Sequence, residues 1–167
     1  MIGESSPLEE QIGALLRKRG KTISMAESCT GGFISHRITN VHGSSDYYGC
    51  GVIAYSNQSK IDILHVSPET LKKFGAVSRQ TAIEMAQGIK QVSGSDLGLA
   101  VTGIAGPGGG TPEKPVGLVY ICLASDESVV CEEFRFKGKR EEIKSQASEA
   151  ALEMTKKYFQ AMSESQT

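Results

Sequence analysis

The chain has 167 residues, enough for one domain with a real core and too few for two. A formal net charge of −1 gives no basic field for nucleic acid, and 6% aromatics with no Trp offer no platform for stacking bases. No apolar run nears the roughly 20 residues that span a bilayer, and MIGESSPLEE lacks a secretory signal pattern, so a cytoplasmic protein without a membrane partner is expected.

Ser6-Pro7-Leu8-Glu9 reads as a capping box with proline at the first helical position. Gly20 is the stop, and Leu8, Ile12, Leu15 and Leu16 form the apolar face between. A short strand is expected over 22–26, a helix over 32–39, and a second strand, GCGVIAY, over 49–55. Ser56 caps a helix that starts at Asn57, and Ser67-Pro68-Glu69 opens a short one that Gly75 ends. Ser78 caps a longer helix with Ala82, Met85, Ala86 and Ile89 on one stripe and Gly94 as its stop.

DLGLAVT, over 96–102, is a continuous apolar strand of the kind buried on both faces. Segments 116–124 and 129–136 flank Ser125-Asp126-Glu127 as an antiparallel hairpin. The last helix sets Ile143, Ala147, Ala150, Ala151, Met154 and Tyr158 on one side, and the tail after Met162 is expected to fray. Strands separated by helices, with a hairpin late in the order, predict a three-layer α/β/α sandwich on a mixed sheet, as one domain over residues 1–167. The cysteines at 29, 50, 122 and 131 never form CxxC, and His36, His42 and His65 are scattered. Neither a zinc site nor a disulfide is predicted, and the thiols are expected to be reduced and mostly packed inside.

Three stretches can carry chemistry. The glycine loop GIAGPGGGTPEKPVG, residues 103–117, is followed by a strand, so it is no dinucleotide fingerprint, and it lacks the GK[ST] of a P-loop. It lies at the carboxyl end of a buried strand, where open α/β sheets bind ligands; its amides can cradle an anion, with Lys114 adding charge. In YSNQSK, residues 55–60, Lys60 lies four residues after the capping Ser56, near a helix start that disfavours its positive charge. In AESCTGG, strand, tight turn and glycine-opened helix can lift Ser28 above a sheet edge, with the amides after Gly31 facing an incoming carbonyl oxygen. No histidine pairs with Ser28; lysine is the other known partner of a serine nucleophile, which makes Lys60 a candidate, and the neighbouring Cys29 is the rival nucleophile. Glu27 is read as orienting the turn.

AESCTGG, GSSDYYGCGVIAYSNQSK, GAVS and VTGIAGPGGGTPEKPVG, in one order with compatible spacing from about Leu8 to Phe159, resemble the C-terminal domain of the competence/damage-inducible protein CinA. That family includes stand-alone nicotinamide-nucleotide amidohydrolases, or NMN deamidases. The nucleotide-pyrophosphatase-like domain that precedes this module in full-length CinA proteins is not expected here. The resemblance implies an α/β/α sandwich on a mixed five-stranded sheet. It also implies metal-independent hydrolysis of the carboxamide of nicotinamide mononucleotide (NMN) to nicotinate mononucleotide and ammonia.

Carried over by position, Ser28 resembles the nucleophile and Lys60 its general base, with Tyr55 and Thr102 around the reacting amide. Ser45 resembles a site serine and Arg140 an arginine serving the site; Thr30, Gly31, Gly103 and Gly106 are expected to touch substrate. Relatives often carry a second arginine near Lys144, a departure that bears on phosphate recognition. No cofactor and no metal are implied, and a homo-oligomer is expected by family analogy alone. Two rival readings stay open: a catalytically silent nucleotide-binding module of the same fold, and a hydrolase with a metal at the glycine loop. The loop has no His or carboxylate cluster, which argues against the second.

Overall fold

The computed structural model describes residues 6–164. Helix α1, Leu8–Arg19, turns Leu8, Ile12, Gly13 and Leu16 inward and stops on Gly20, left-handed at φ 59°. Pro7 is its N-cap, and no side chain caps it, so the expected capping box does not form. With ψ at 145°, Pro7 stands outside the helix, and Leu8 is its first residue. The Ser6 carbonyl accepts from Gln11 Nε2 at 2.6 Å instead.

The strands are β1 (Ile23–Glu27), β2 (Tyr48–Ile53), β3 (Leu97–Gly103), β4 (Leu118–Ala124) and β5 (Val129–Arg135). They form one mixed sheet in the order β2-β1-β3-β4-β5. β1 runs parallel to both β2 and β3, whereas β4 and β5 follow as an antiparallel hairpin. The remaining helices are α2 (Phe33–Thr39), α3 (Asn57–Leu64), α4 (Pro68–Phe74), α5 (Arg79–Ser93) and α6 (Arg140–Glu164). The chain moves from β1 to β2 on one side and then to β3 on the other, so the connections reverse between β1 and β3. Ligand crevices open at the carboxyl ends of strands where that reversal happens.

Two cores flank the sheet, as the expected sandwich requires. On one face Ile12 and Leu16 of α1, Ile34 and Ile38 of α2, and Ile143 and Ala147 of α6 pack on the larger strand residues. Full burial of an aliphatic side chain of this size contributes about 1.5–3 kcal/mol. On the other face α5 brings Ala82, Met85, Ala86 and Ile89 against Ala26, Ala100, Cys122 and Ala124. The alternation along β3 explains the difference: Leu97, Leu99 and Val101 point one way, while Ala100 faces α5. Gly98 lets that helix come close, since a Cβ there would collide with the Ala86 carbonyl.

Cys122 and Cys131 are directly opposed across the β4–β5 ladder, Cα atoms 4.1 Å apart, and form a disulfide. This corrects the expectation of four reduced thiols. Hairpin register brings the pair together, a constraint that CxxC spacing does not express. Cys29 and Cys50 are free, and Cys29 is buried. α6 continues past Met162 to Glu164; the rest of the tail expected to fray lies outside the described residues. Among the described residues no helix is long and apolar enough to cross a membrane.

Candidate active site

The turn after β1 is built around a buried carboxylate. Glu27, only 1% exposed, accepts from Thr30 Oγ1 at 2.7 Å and from the Gly32 and Ile34 amides at 3.0 and 3.2 Å on Oε2. Its Oε1 takes the Ser35 amide at 2.8 Å and the Ser35 hydroxyl at 2.7 Å. Gly32, the N-cap of α2, has no side chain to offer, so Glu27 caps that helix from the preceding strand. The expectation that the amides after Gly31 face a substrate is thereby corrected. Glu27 holds the Gly32, Ile34 and Ser35 amides, the Thr30 carbonyl takes that of Phe33, and charge-assisted bonds outcompete neutral ones. Among the described residues the Cys29 and Thr30 amides are those in the turn with no acceptor on another residue's backbone or side chain. The Ser28 amide donates to the Val101 carbonyl at 3.0 Å, which fixes Ser28 at the boundary between β1 and β3.

Lys60 meets Ser28 from the far side of the crevice. Ser56 caps α3 by accepting the Ser59 amide at 3.0 Å, and Lys60 follows one turn in. Its side chain, 1% exposed, runs back past the helix start. Nζ lies 3.2 Å from Ser28 Oγ, 2.8 Å from the Ala54 carbonyl and 3.3 Å from the Tyr55 carbonyl. Burial pulls the lysine below its ordinary 10.5, because the ammonium form loses its water. Nζ donates to both carbonyls, and its third contact is the Ser28 hydroxyl. Burial pushes the neighbouring Cys29 thiol up to about 12, so it stays protonated at neutral pH. Of the two adjacent side chains, Ser28 is the one hydrogen-bonded to the Lys60 amine.

A cavity of about 270 Å³ opens above this pair. Ser28, Lys60, Thr102, Gly103, Gly106 and Arg140 all line it, so six of the sequence-predicted residues converge here, and Tyr55 makes a seventh. Thr102 Oγ1 donates to the Ala76 carbonyl at 2.8 Å, tying β3 to the segment before α5. Tyr55 is 60% exposed, and its phenol accepts from Arg140 Nη2 at 2.8 Å and makes no bond to Ser28 or Lys60. Arg140 Nη1 also donates to the Gly106 carbonyl at 2.6 Å, pinning the glycine loop to the start of α6.

Other expected residues lie elsewhere. Thr30 is buried on Glu27, and Gly31 is exposed outside the cavity lining. Ser45 is exposed on the 3₁₀ turn Ser44–Asp46 before β2, at the opposite end of that strand from Tyr55. Lys114 donates to the Phe74 carbonyl at 2.5 Å, so it latches the glycine loop to the end of α4 and leaves the anion cradle without it. Sequence reasoning assigned no role to Ala76 and Val77, which form a wall of the cavity. Their backbone contribution has no side-chain signature. Lys144, one turn beyond Arg140, places its amine 3.6 Å from where a Gly31 Cβ would stand. Among the described residues no three His, Cys, Asp or Glu side chains gather as a metal site.

A family model described as the CinA C-terminal domain matches residues 5–159. A CinA-like protein of Kosmotoga olearia is 52% identical over 156 residues, 93% of this chain and 38% of the relative. A putative competence-damage inducible protein of Halothermothrix orenii is 56% identical over 138 residues, 82% of this chain and 33% of the relative. The chain thus spans little more than a third of the length of such curated relatives. Among solved structures, a CinA superfamily protein from Klebsiella pneumoniae superposes with a TM-score of 0.89 at 30% identity, covering 92% of this chain and 96% of that one. The competence/damage inducible protein CihA from Agrobacterium tumefaciens is 42% identical with a TM-score of 0.84 over the same shares.

Proposed function

This chain belongs to the CinA C-terminal domain family, and from that premise we propose that it hydrolyses the carboxamide of NMN. The observation that carries the reading is the buried Lys60 amine 3.2 Å from Ser28 Oγ at the floor of a cavity. A serine hydroxyl is a weak nucleophile unless a base takes its proton. Ser28 Oγ attacks the carboxamide carbon while its proton passes to Lys60 Nζ. The C=O electrons move to oxygen, and the Cys29 amide beside the nucleophile is the donor suited to that oxyanion. Collapse breaks the C–N bond, the Lys60 ammonium returns the proton to nitrogen, and ammonia leaves a Ser28 ester. Water attacks the ester with Lys60 again as base, releasing nicotinate mononucleotide and restoring the hydroxyl.

Burial supports this cycle, because it keeps the resting lysine toward the neutral amine that the first step needs. Arg140 is the free-standing cation of the cavity wall and suits the nucleotide phosphate. Incubating the pure protein with NMN and measuring ammonia tests the proposal. Stoichiometric ammonia and nicotinate mononucleotide are expected. NMN that binds and is recovered intact would leave a silent nucleotide-binding module.

A further inference from the structure

The charge pattern of the cavity is one-sided. Arg140 is the fixed cation among its lining residues, Lys60 is the other basic group, and no Asp or Glu is among them. Arg140 makes no ion pair among the described residues: its two bonds go to the neutral oxygens of Gly106 and Tyr55. A guanidinium has five N–H donors, and its bonds to an anion are about twice as strong as those to a neutral acceptor. The phenol is therefore the weaker, exchangeable partner. It belongs to an exposed side chain with no other hydrogen bond among the described residues, whereas the Gly106 carbonyl is backbone of a loop already anchored at Lys114.

We propose that the Tyr55 phenol is a neutral placeholder on Arg140, a gate across the cavity mouth that the substrate's anionic group displaces. The inference rests on the reading of this cavity as the substrate site and adds a selectivity device to it. Tyr55 reaches from the segment after β2 to the first residue of α6, so the contact joins two parts of the cavity lining. An amide carrying a phosphate exchanges the neutral acceptor for a charged one and opens the gate as it binds. A substrate without the anion gains nothing from Arg140 and leaves the phenol in place. Tyr55 is then a specificity residue, and its phenol makes no bond to Ser28 or Lys60 through which to pass a proton.

Tyr55→Phe keeps the ring and removes the competing oxygen. Inorganic phosphate titrated calorimetrically should bind the variant about 3- to 10-fold more tightly than the wild type, the size of one hydrogen bond's net contribution. KM for NMN should fall by a similar factor, while KM for nicotinamide riboside, which lacks the phosphate, stays put. Phosphate that binds both proteins equally, binds the variant more weakly, or binds neither overturns the gate. So does a loss in kcat of about 100-fold with KM unchanged, the signature of proton transfer. The phosphate titration needs no turnover. If wild-type protein releases no ammonia from NMN, the functional reading fails and the gate is still judged by phosphate.

Discussion

The two halves of the sheet are held together in opposite ways. In the parallel half, β1, β2 and β3 end side by side on buried polar groups: Glu27, Ser28, Lys60 and Thr102 are each 8% exposed or less. Every one of them is bonded, yet a lysine pulled from water is a cost to the fold. In the antiparallel half, β4 and β5 are locked by a disulfide at their facing pair, and β5 is largely exposed along its length. A cavity of about 500 Å³ between β5 and α6 is lined by Leu123, Val130, Met154 and Met162 among others, and the polar strand ends are elsewhere. The contrast teaches that the fold gathers its buried polar groups at the parallel strand ends and its covalent cross-link in the hairpin.

Mutations can break or sharpen that contrast. The largest effect is expected for Ser28→Ala, which should lower ammonia release about 1000-fold or more while the thermal melt stays near wild type. Cys29→Ser should keep most activity, since the thiol is held protonated. Strong loss with Cys29→Ser and little with Ser28→Ala would move the nucleophile to the cysteine. Next comes Lys60→Arg, expected to lose about 100- to 10,000-fold in kcat because guanidinium keeps its proton. An active variant would show that the site uses charge and no base. The lysine also has a stability signature. The unfolded chain holds its proton up to 10.5 and the folded protein releases it earlier, so Lys60 makes stability rise with pH through that window.

Glu27→Gln tests the turn rather than the reaction. It removes charge from an acceptor of three amides and two hydroxyls, and urea unfolding should show a loss of about 2–4 kcal/mol. A variant as stable as wild type would show that the cap on α2 is dispensable. The smallest effect on chemistry is expected in the other half. Replacing Cys122 and Cys131 by alanine should cost about 2–3 kcal/mol of stability and leave kcat within about two-fold per folded molecule. A large kcat loss would mean that the hairpin is coupled to the site, through Arg79 of α5, which donates to the Cys131 carbonyl.

The same division governs what could be read in the sequence. Strand and helix order, the stripe on α5 and the cap at Ser56 follow from local periodicity and capping chemistry, and each is present. Lys60 stood out because its charge sits against a helix start, and the structure places it on Ser28. Glu27 was legible as orienting the turn, but its capture of the α2 amides depends on how strand meets helix in space. The disulfide was missed although a signal existed: a turn joining Ala124 to Val129 sets Cys122 opposite Cys131. Ser45 was placed near the site by resemblance, and the direction of β2 puts it at the far end. Lys114 carried charge in a glycine loop, yet a carbonyl at the end of α4 claims it.

The pH dependence of kcat/KM for NMN tests the central claim most directly, that burial keeps Lys60 available as a base for Ser28. Between about pH 6 and 10 the value should rise with pH as the lysine loses its proton, through an apparent pKa below the ordinary 10.5. A profile that is flat or falling across this range, or one that rises only at or above 10.5, would contradict it.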